Sequence, residues 1–310
     1  MKIVLIMIAL ISQMWAYKIE PDFIKNGDYM GIKILDSKVL QSSRVDGLKF
    51  CEISDIAYDE GSDILYALSD KGRLFKCHIT IKDGKITDFK VLSAQALRGE
   101  DGRKFFGKMR DSEGMALKGK HLYISFERKP RIIKYSKKMH FKKSLKLPKP
   151  LRKIKHYQGK NRALEALCYD KKRGFITAAE YPLKSQKGGY GYHDIYNLEG
   201  VLCRIKRAKG VGITELESMK DGNLLMLQRK FSLRSFSFET TLSKIYLDEV
   251  KDGECRMDIL AWMSSQKGWK IDNFEGLTHY HDRRYLMISD DNNNPLEKTI
   301  LTLFELKEKR

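Results

Sequence analysis

After its first eleven residues the chain has no long apolar run, and nothing later approaches the roughly 20 apolar residues a membrane-spanning helix needs. No His or Cys grouping has the spacing of a zinc site, which excludes that chemistry as a starting point. No nucleophile elbow or Ser/His/Asp spacing is found, so ordinary serine-esterase catalysis is not indicated. Nucleic-acid-binding motifs and amphipathic helices of domain scale are missing too. Acid is the minority charge, 40 residues against 59 Lys and Arg, and the formal net charge of +19 favours anionic partners or a solvated basic surface. The five cysteines, Cys51, Cys77, Cys168, Cys203 and Cys255, are odd in number. They allow at most two bridges and otherwise read as buried apolar fillers.

What is present begins with Lys2, an apolar stretch from Ile3 to Ile11, a polar Ser12-Gln13 step and small Ala16. Charge, short apolar core and small residue, in that order, predict a signal peptide over residues 1–16 and a periplasmic or secreted protein. Met14 is bulky for its place before the cut, and a retained N-terminal anchor is the alternative. The mature chain is then expected to carry no transmembrane segment, to be monomeric, and to meet anionic small molecules or surfaces rather than nucleic acid.

Self-similarity decides the fold. Ser54-Asp55-Ile56, Glu113-Gly114-Met115, Glu165-Ala166-Leu167, Glu217-Ser218-Met219 and Glu275-Gly276-Leu277 open five segments whose starts lie 59, 52, 52 and 58 residues apart. Each is followed by a Gly, Asp or Lys-rich turn and a second β-prone run. Sheets of about four strands at this period are propeller blades. The reading is an all-β chain with a single β-propeller domain over residues 17–310. Five blades are counted; a sixth would have to come from the connection between Cys77 and Asp111. After Glu275 only three strands fit, so Gly31-Ile32-Lys33-Ile34-Leu35 is expected to supply the last and close the ring.

In a blade, the start of the first strand and the end of the second lie on one face. Glu113, Glu165, Glu217 and Glu275, with Ser54 in the fifth slot, should therefore meet Asp70, Glu127, Glu180, Arg229 and Asp290 at one mouth of the channel. Carboxylates crowded there raise one another's pKa, and a divalent cation would relieve the repulsion. Calcium, which takes about six to eight oxygens, suits Glu113, Glu165, Glu217 and Glu275 with Asn273 and Asp290; a purely architectural role for these side chains is the alternative. Arg110, Arg128, Arg162, Arg229 and Lys71 flank the same ends and are candidates for binding an anionic substrate, each competing with a plain ion-pair role. The loop from Lys184 to Asn197, with His193 as a candidate acid or base, should overhang this mouth. The run from Asp290 to Pro295 is rich in calcium-compatible oxygens, or is simply a turn.

Ile53-Ser54-Asp55 with Ser69-Asp70, Asp111-Ser112-Glu113-Gly114, Asn161-Arg162 with Glu165, and Asn273-Phe274-Glu275-Gly276 with Ser289-Asp290-Asp291-Asn292 resemble the phytase-like family, described as having esterase-like activity of phytase. The likeness runs from about Gly47 to Leu303. It implies a propeller in an extracytoplasmic setting. Ser218 and Gln228-Arg229 depart from the pattern and weaken a symmetric cage. The leading expectation is metal-assisted hydrolysis of an anionic ester, most naturally a phosphoester; the competing one is a non-enzymatic propeller that binds a protein, glycan or anionic surface.

Overall fold

Five times in succession the chain lays down an inner strand and then steps outward through antiparallel neighbours. The computed structural model describes residues 14–186 and 191–308. Most of the expected leader therefore lies outside the described residues, as do Gly188, Gly189 and Tyr190 of the loop expected to overhang the mouth.

Blade 1 comprises Ile53–Asp59, Ile64–Ser69, Arg73–Lys82 and Lys85–Ala96. Blade 2 comprises Ser112–Lys118, His121–Phe126, Arg131–Ser136 and Phe141–Leu145. Blade 3 runs Leu164–Asp170, Gly174–Ala179, Tyr192–Asn197 and Val201–Lys206. Blade 4 runs Gly212–Ser218, Leu224–Ser232, Ser237–Lys251 and Glu254–Ser264. Blade 5 has Asn273–His279, Arg284–Asp290 and Thr299–Leu306, and its fourth strand is the N-terminal Ile32–Leu40, paired antiparallel to Thr299–Leu306. The ring is thus closed by the borrowed strand. The connection between Cys77 and Asp111 holds no sixth blade; it is spent on the outer half of blade 1, one isolated bridge and a short 3-10 turn.

Sequence pattern explains the layering. Inner strands are buried along almost their whole length because neighbouring blades cover both faces, as in Ile53–Asp59. Outer strands alternate, as in Lys85–Ala96, with one face toward solvent. Tight hairpins fall where the turn demands left-handed backbone, for example Asp83-Gly84 and Asp252-Gly253, whose positive φ angles suit a type I′ turn. Among the described residues the apolar core is five clusters, one between each pair of consecutive blades. Ile56, Phe75, Leu286 and Ile288 fill the seam between blades 1 and 5, and Leu225, Leu242, Phe274 and Tyr285 that between blades 4 and 5.

At the rim, a disulfide joins Cys203 on the outer strand of blade 3 to Cys255 on the outer strand of blade 4, beside the parallel pair Arg204 and Glu254. Cys51, Cys77 and Cys168 are buried thiols. Met14–Ala16 adds a further strand against Lys38–Leu40 on the edge of blade 5, so the residues before the expected cleavage point pair with the propeller.

Candidate functional site at the acidic mouth of the channel

Each inner strand carries a bulge near its start. Ladder partners Ile53 and Ser69 are followed by Asp55 and Leu68, Ser112 and Phe126 by Met115 and Ile124, and Leu164 and Ala179 by Leu167 and Thr177. In blades 4 and 5, Ile213 and Gln228 are followed by Glu215 and Leu227, and Phe274 and Ser289 by Gly276 and Ile288. The equivalent bulge positions are therefore Ser54, Glu113, Glu165, Thr214 and Glu275. Asp70, Glu127, Glu180, Arg229 and Asp290 follow directly on the second-strand residues paired there. The two polar rings meet at one mouth, with three glutamates in the inner ring.

Glu217 is not among them. Blade 4 starts its inner strand at Gly212, and Glu217 pairs with Leu225 near the opposite end. There its Oε1 accepts the His279 amide at 3.0 Å, and burial pushes its carboxyl up to about 7. It lines a separate depression of about 580 Å3 on the far face with Tyr58, Cys168, Tyr169, Lys171 and Thr278. The same three-residue offset accounts for Ser218. The slot of Gly114 is taken in blade 4 by Glu215; at Gly114 an added Cβ would lie 2.2 Å from the Glu165 carbonyl oxygen.

Between the two ends the channel is plugged by a second acidic pair absent from the expected site. Asp55 is 0% and Glu215 1% exposed. Asp55 accepts the Ile56 and Met115 amides at 2.7 and 2.6 Å, and Glu215 accepts those of Leu167 and Leu216 at 3.0 and 2.7 Å. Both pKa values are raised, chiefly by burial, and the two carboxyls act on each other, lowering Asp55 and raising Glu215 further. These carboxyls tie the bulged strands of neighbouring blades together, an architectural use of buried acid.

At the mouth itself, burial raises the pKa of Glu113, and Glu165, Glu127, Glu275 and Asp111 add repulsion. Burial likewise raises Glu165, with Glu127, Glu180 and Glu275 adding to it and Arg229 opposing. Glu127, Glu180, Asp70 and Asp290 are raised in the same direction by burial. One half of the mouth is neutralised from within: Arg229 Nη1 lies 3.0 Å from Glu275 Oε1, its Nη2 3.3 Å from Glu180 Oε1, and it donates to Asn273 Oδ1. The departure in blade 4 therefore supplies a cation to the acids of blades 3 and 5.

The other half is different. Carboxylate oxygens of Asp111, Glu113 and Glu127 lie within 4.8 Å of one another. Glu127 Oε1 accepts the Ala163 amide at 2.9 Å. Arg128 Nε sits 2.9 Å from Asp111 Oδ2, but neither atom has a directed hydrogen bond; Asp70 Oδ1 is also buried without one. Oxygen donors, undirected lone pairs and mutual repulsion fit a hard divalent cation such as calcium. Of the six ligands expected from sequence, Glu113 belongs to this cluster and Glu165 adjoins it electrostatically, whereas Glu275 and Asn273 are held by Arg229. Asp290 Oδ1 accepts the Asn292 amide at 2.7 Å. Asp111 was not singled out as a ligand; its place two residues before Glu113 was the available signal.

The expected anion-binding residues divide in the same way. Lys71 Nζ lies 2.7 Å from both Glu52 and Asp70, Arg128 faces Asp111, and Arg229 is engaged as described. Arg110 packs against Gly72, where a Cβ would stand 2.8 Å from its own. Exposed Arg162 lies over the Tyr181 ring, 4.7 Å from the centroid, and Arg207 lies 5.0 Å from the same centroid. Two guanidinium groups on one ring, beside Glu180, form a cationic feature of this mouth, with Arg207 half-buried and donating Nε to the Val211 carbonyl at 2.7 Å; sequence pattern does not single out Arg207.

One loop expectation is corrected, and another resolves to its plain-turn alternative. His193 is 1% exposed on the strand Tyr192–Asn197, and burial pushes its imidazole down to about 3, so it is no overhanging acid or base. The run after Asp290 is a self-bonded turn: Asp291 Oδ1 accepts the Glu52 and Asn293 amides, both at 2.9 Å, and Asn292 Nδ2 donates to Glu297 at 2.7 Å.

No curated protein matches the chain in sequence. Among solved structures, it is similar to Myxococcus xanthus glutaminyl cyclase (10% identity, 88% of this chain and 97% of that one, TM-score 0.43). It is also similar to U3-55K (10%, 82% and 77%, TM-score 0.41) and to the Myceliophteria thermophila Cps50 (Swd1) β-propeller domain (10%, 87% and 100%, TM-score 0.40). The sequence of the family described as "Esterase-like activity of phytase" matches residues 49–293, from the lead-in to blade 1 to the turn after Asp290, and the chain belongs to this phytase-like family.

Proposed function

We propose that this propeller is a calcium-assisted hydrolase of an anionic ester, with a phosphoester as the favoured substrate. The observation that carries the reading is the cluster of Asp111, Glu113 and Glu127, three carboxylates whose oxygens converge within 4.8 Å. These three would hold the ion. When bound, it would supply Lewis-acid polarisation of the ester and acidify a water. Glu165, whose proton affinity is raised by burial and by Glu127, is the group suited to hold a proton for a leaving oxygen. Arg162 and Arg207, stacked on Tyr181, would orient anionic groups of the substrate.

Export remains part of this reading. The Cys203–Cys255 bridge suits an oxidising compartment, and among the described residues no helix is long and apolar enough to cross a membrane. A binding propeller without turnover is the second reading, favoured by the degree to which Arg229 and Lys71 already neutralise their acids. Hydrolysis of a panel of small phosphate and carboxylate esters, measured with calcium and with chelator, separates the two. Turnover that the chelator abolishes supports the hydrolase; none, in folded protein, leaves the binding module.

A further inference from the structure

Between Glu127 and Glu165 the chain contains no acid, yet residues 128–164 hold 15 Lys and Arg. Subtracting these from 59 leaves 44 against 40 acids, so 15 units of the +19 excess come from this one segment. Eleven of the 15 are exposed. Only Arg128 and Lys137 are ion-paired to carboxylates, those of Asp111 and Asp59, among the described residues.

The fold turns this stretch into a surface. Arg131–Ser136 descends from the acidic mouth, Phe141–Leu145 climbs back as the edge strand of blade 2, and residues 146–163 cross the mouth side to reach blade 3. That crossing is fastened from below. Leu147, Leu151 and Tyr157 are buried, Tyr157 Oη donates to the Leu151 carbonyl at 2.8 Å, and Gln158 Nε2 to that of Pro182 at 2.9 Å. The lysines therefore stand on an ordered platform that ends at Arg162, beside Glu180. Lysine on an edge strand also guards against strand pairing, but the charge continues well past the strand into the crossing.

We infer that residues 128–164 form a track for a linear phosphate-bearing polymer, leading from the edge of blade 2 to the acidic mouth. Eleven of the 15 cations are Lys, mobile point charges suited to a dense run of phosphates rather than to one fixed bidentate site. No large apolar side chain of the segment is exposed, which removes the wedge that would insert into a lipid surface. Delivery of an ester to the mouth rests on the hydrolytic reading; binding of the polymer does not.

The test is affinity for long-chain inorganic polyphosphate as a function of salt, by the full chain and two variants. One carries Lys149→Glu, Lys153→Glu and Lys155→Glu; the control carries the same charge change elsewhere, Lys120→Glu, Lys209→Glu and Lys251→Glu. The track variant should lose at least about tenfold in affinity, with a salt slope shallower by about 2, while the control stays within about threefold. Equal losses in both, or binding to phosphatidylglycerol vesicles in preference to polyphosphate, overturns the track. Unchanged melting temperatures exclude unfolding as the cause. Polymer binding that depends on the track, with no turnover of any ester, keeps this inference and removes the hydrolase.

Discussion

The two ends of the channel are made from the same five inner strands, yet one gathers carboxylates from four of the five blades, with Arg229 of blade 4 among them, and the other holds Glu217 and Asp170 among aromatic, aliphatic and lysine side chains. Position along the strand makes the difference. At the bulge, side chains of adjacent blades converge, so Glu113, Glu165 and Glu275 feel one another; three residues on, Glu217 is raised by burial and opposed by the His279 and Ser218 amides. Acid at the first end is a collective property, whereas at the second Glu217 and Asp170 are each held by backbone amides.

The sharpest way to break that contrast is substitution at each end. Glu113→Gln or Glu127→Gln should lower calcium-dependent kcat/KM by about 100-fold, the scale of losing a key electrostatic group. Glu217→Gln should leave it within about twofold. Steady-state kinetics on one ester checks both, and an equal loss from Glu217→Gln would return Glu217 to the working site.

That mistake was built into the sequence. Glu165 and Glu217 are 52 residues apart, the same spacing as Glu113 and Glu165, so periodicity alone selects Glu217. The true counterpart, Thr214, is hidden because a hydroxyl replaces the acid; its Oγ1 contacts the Leu227 and Phe274 carbonyls. Ring closure was legible because three strands after Glu275 cannot complete a blade. Asp55 and Glu215 were not, since a carboxyl that satisfies amides across a blade seam reads in sequence like any other strand residue. His193 was lost for a related reason: glycines before it suggested an open loop, whereas Tyr192–Asn197 pairs with Val201–Lys206.

A smaller effect sharpens the comparison through stability. Raised folded-state pKa values mean that the native protein binds protons more tightly than the unfolded chain. Without calcium, these groups stabilise below their ordinary values near 4.5, and that stability is lost as pH rises through the folded values. The melting temperature in chelator should therefore fall from about pH 5 upward. Glu217→Gln should remove only the share lost between 4.5 and about 7. Surface acids such as Asp248, lowered by its hydrogen bond from Lys172, act below 3.8 and stay outside this window. Calcium at 100 times its Kd should restore about 2.7 kcal/mol in wild type and in Glu217→Gln, and much less in Glu113→Gln. A melting temperature in chelator that climbs across this range would contradict the crowding.

The smallest expected effect tests the register itself. Ser218 is half-buried near the end of its strand, with its hydroxyl 3.4 Å from Asp170 Oδ2. It does not occupy the slot where Gly114 and Gly276 let neighbouring backbones approach, and nothing there calls for a glycine. Ser218→Gly should therefore destabilise by about 0.5–1 kcal/mol, the conformational cost of glycine in a strand. Denaturant unfolding resolves a change of that size. A neutral or stabilising result would place Ser218 in the glycine slot, and with it Glu217 at the acidic mouth.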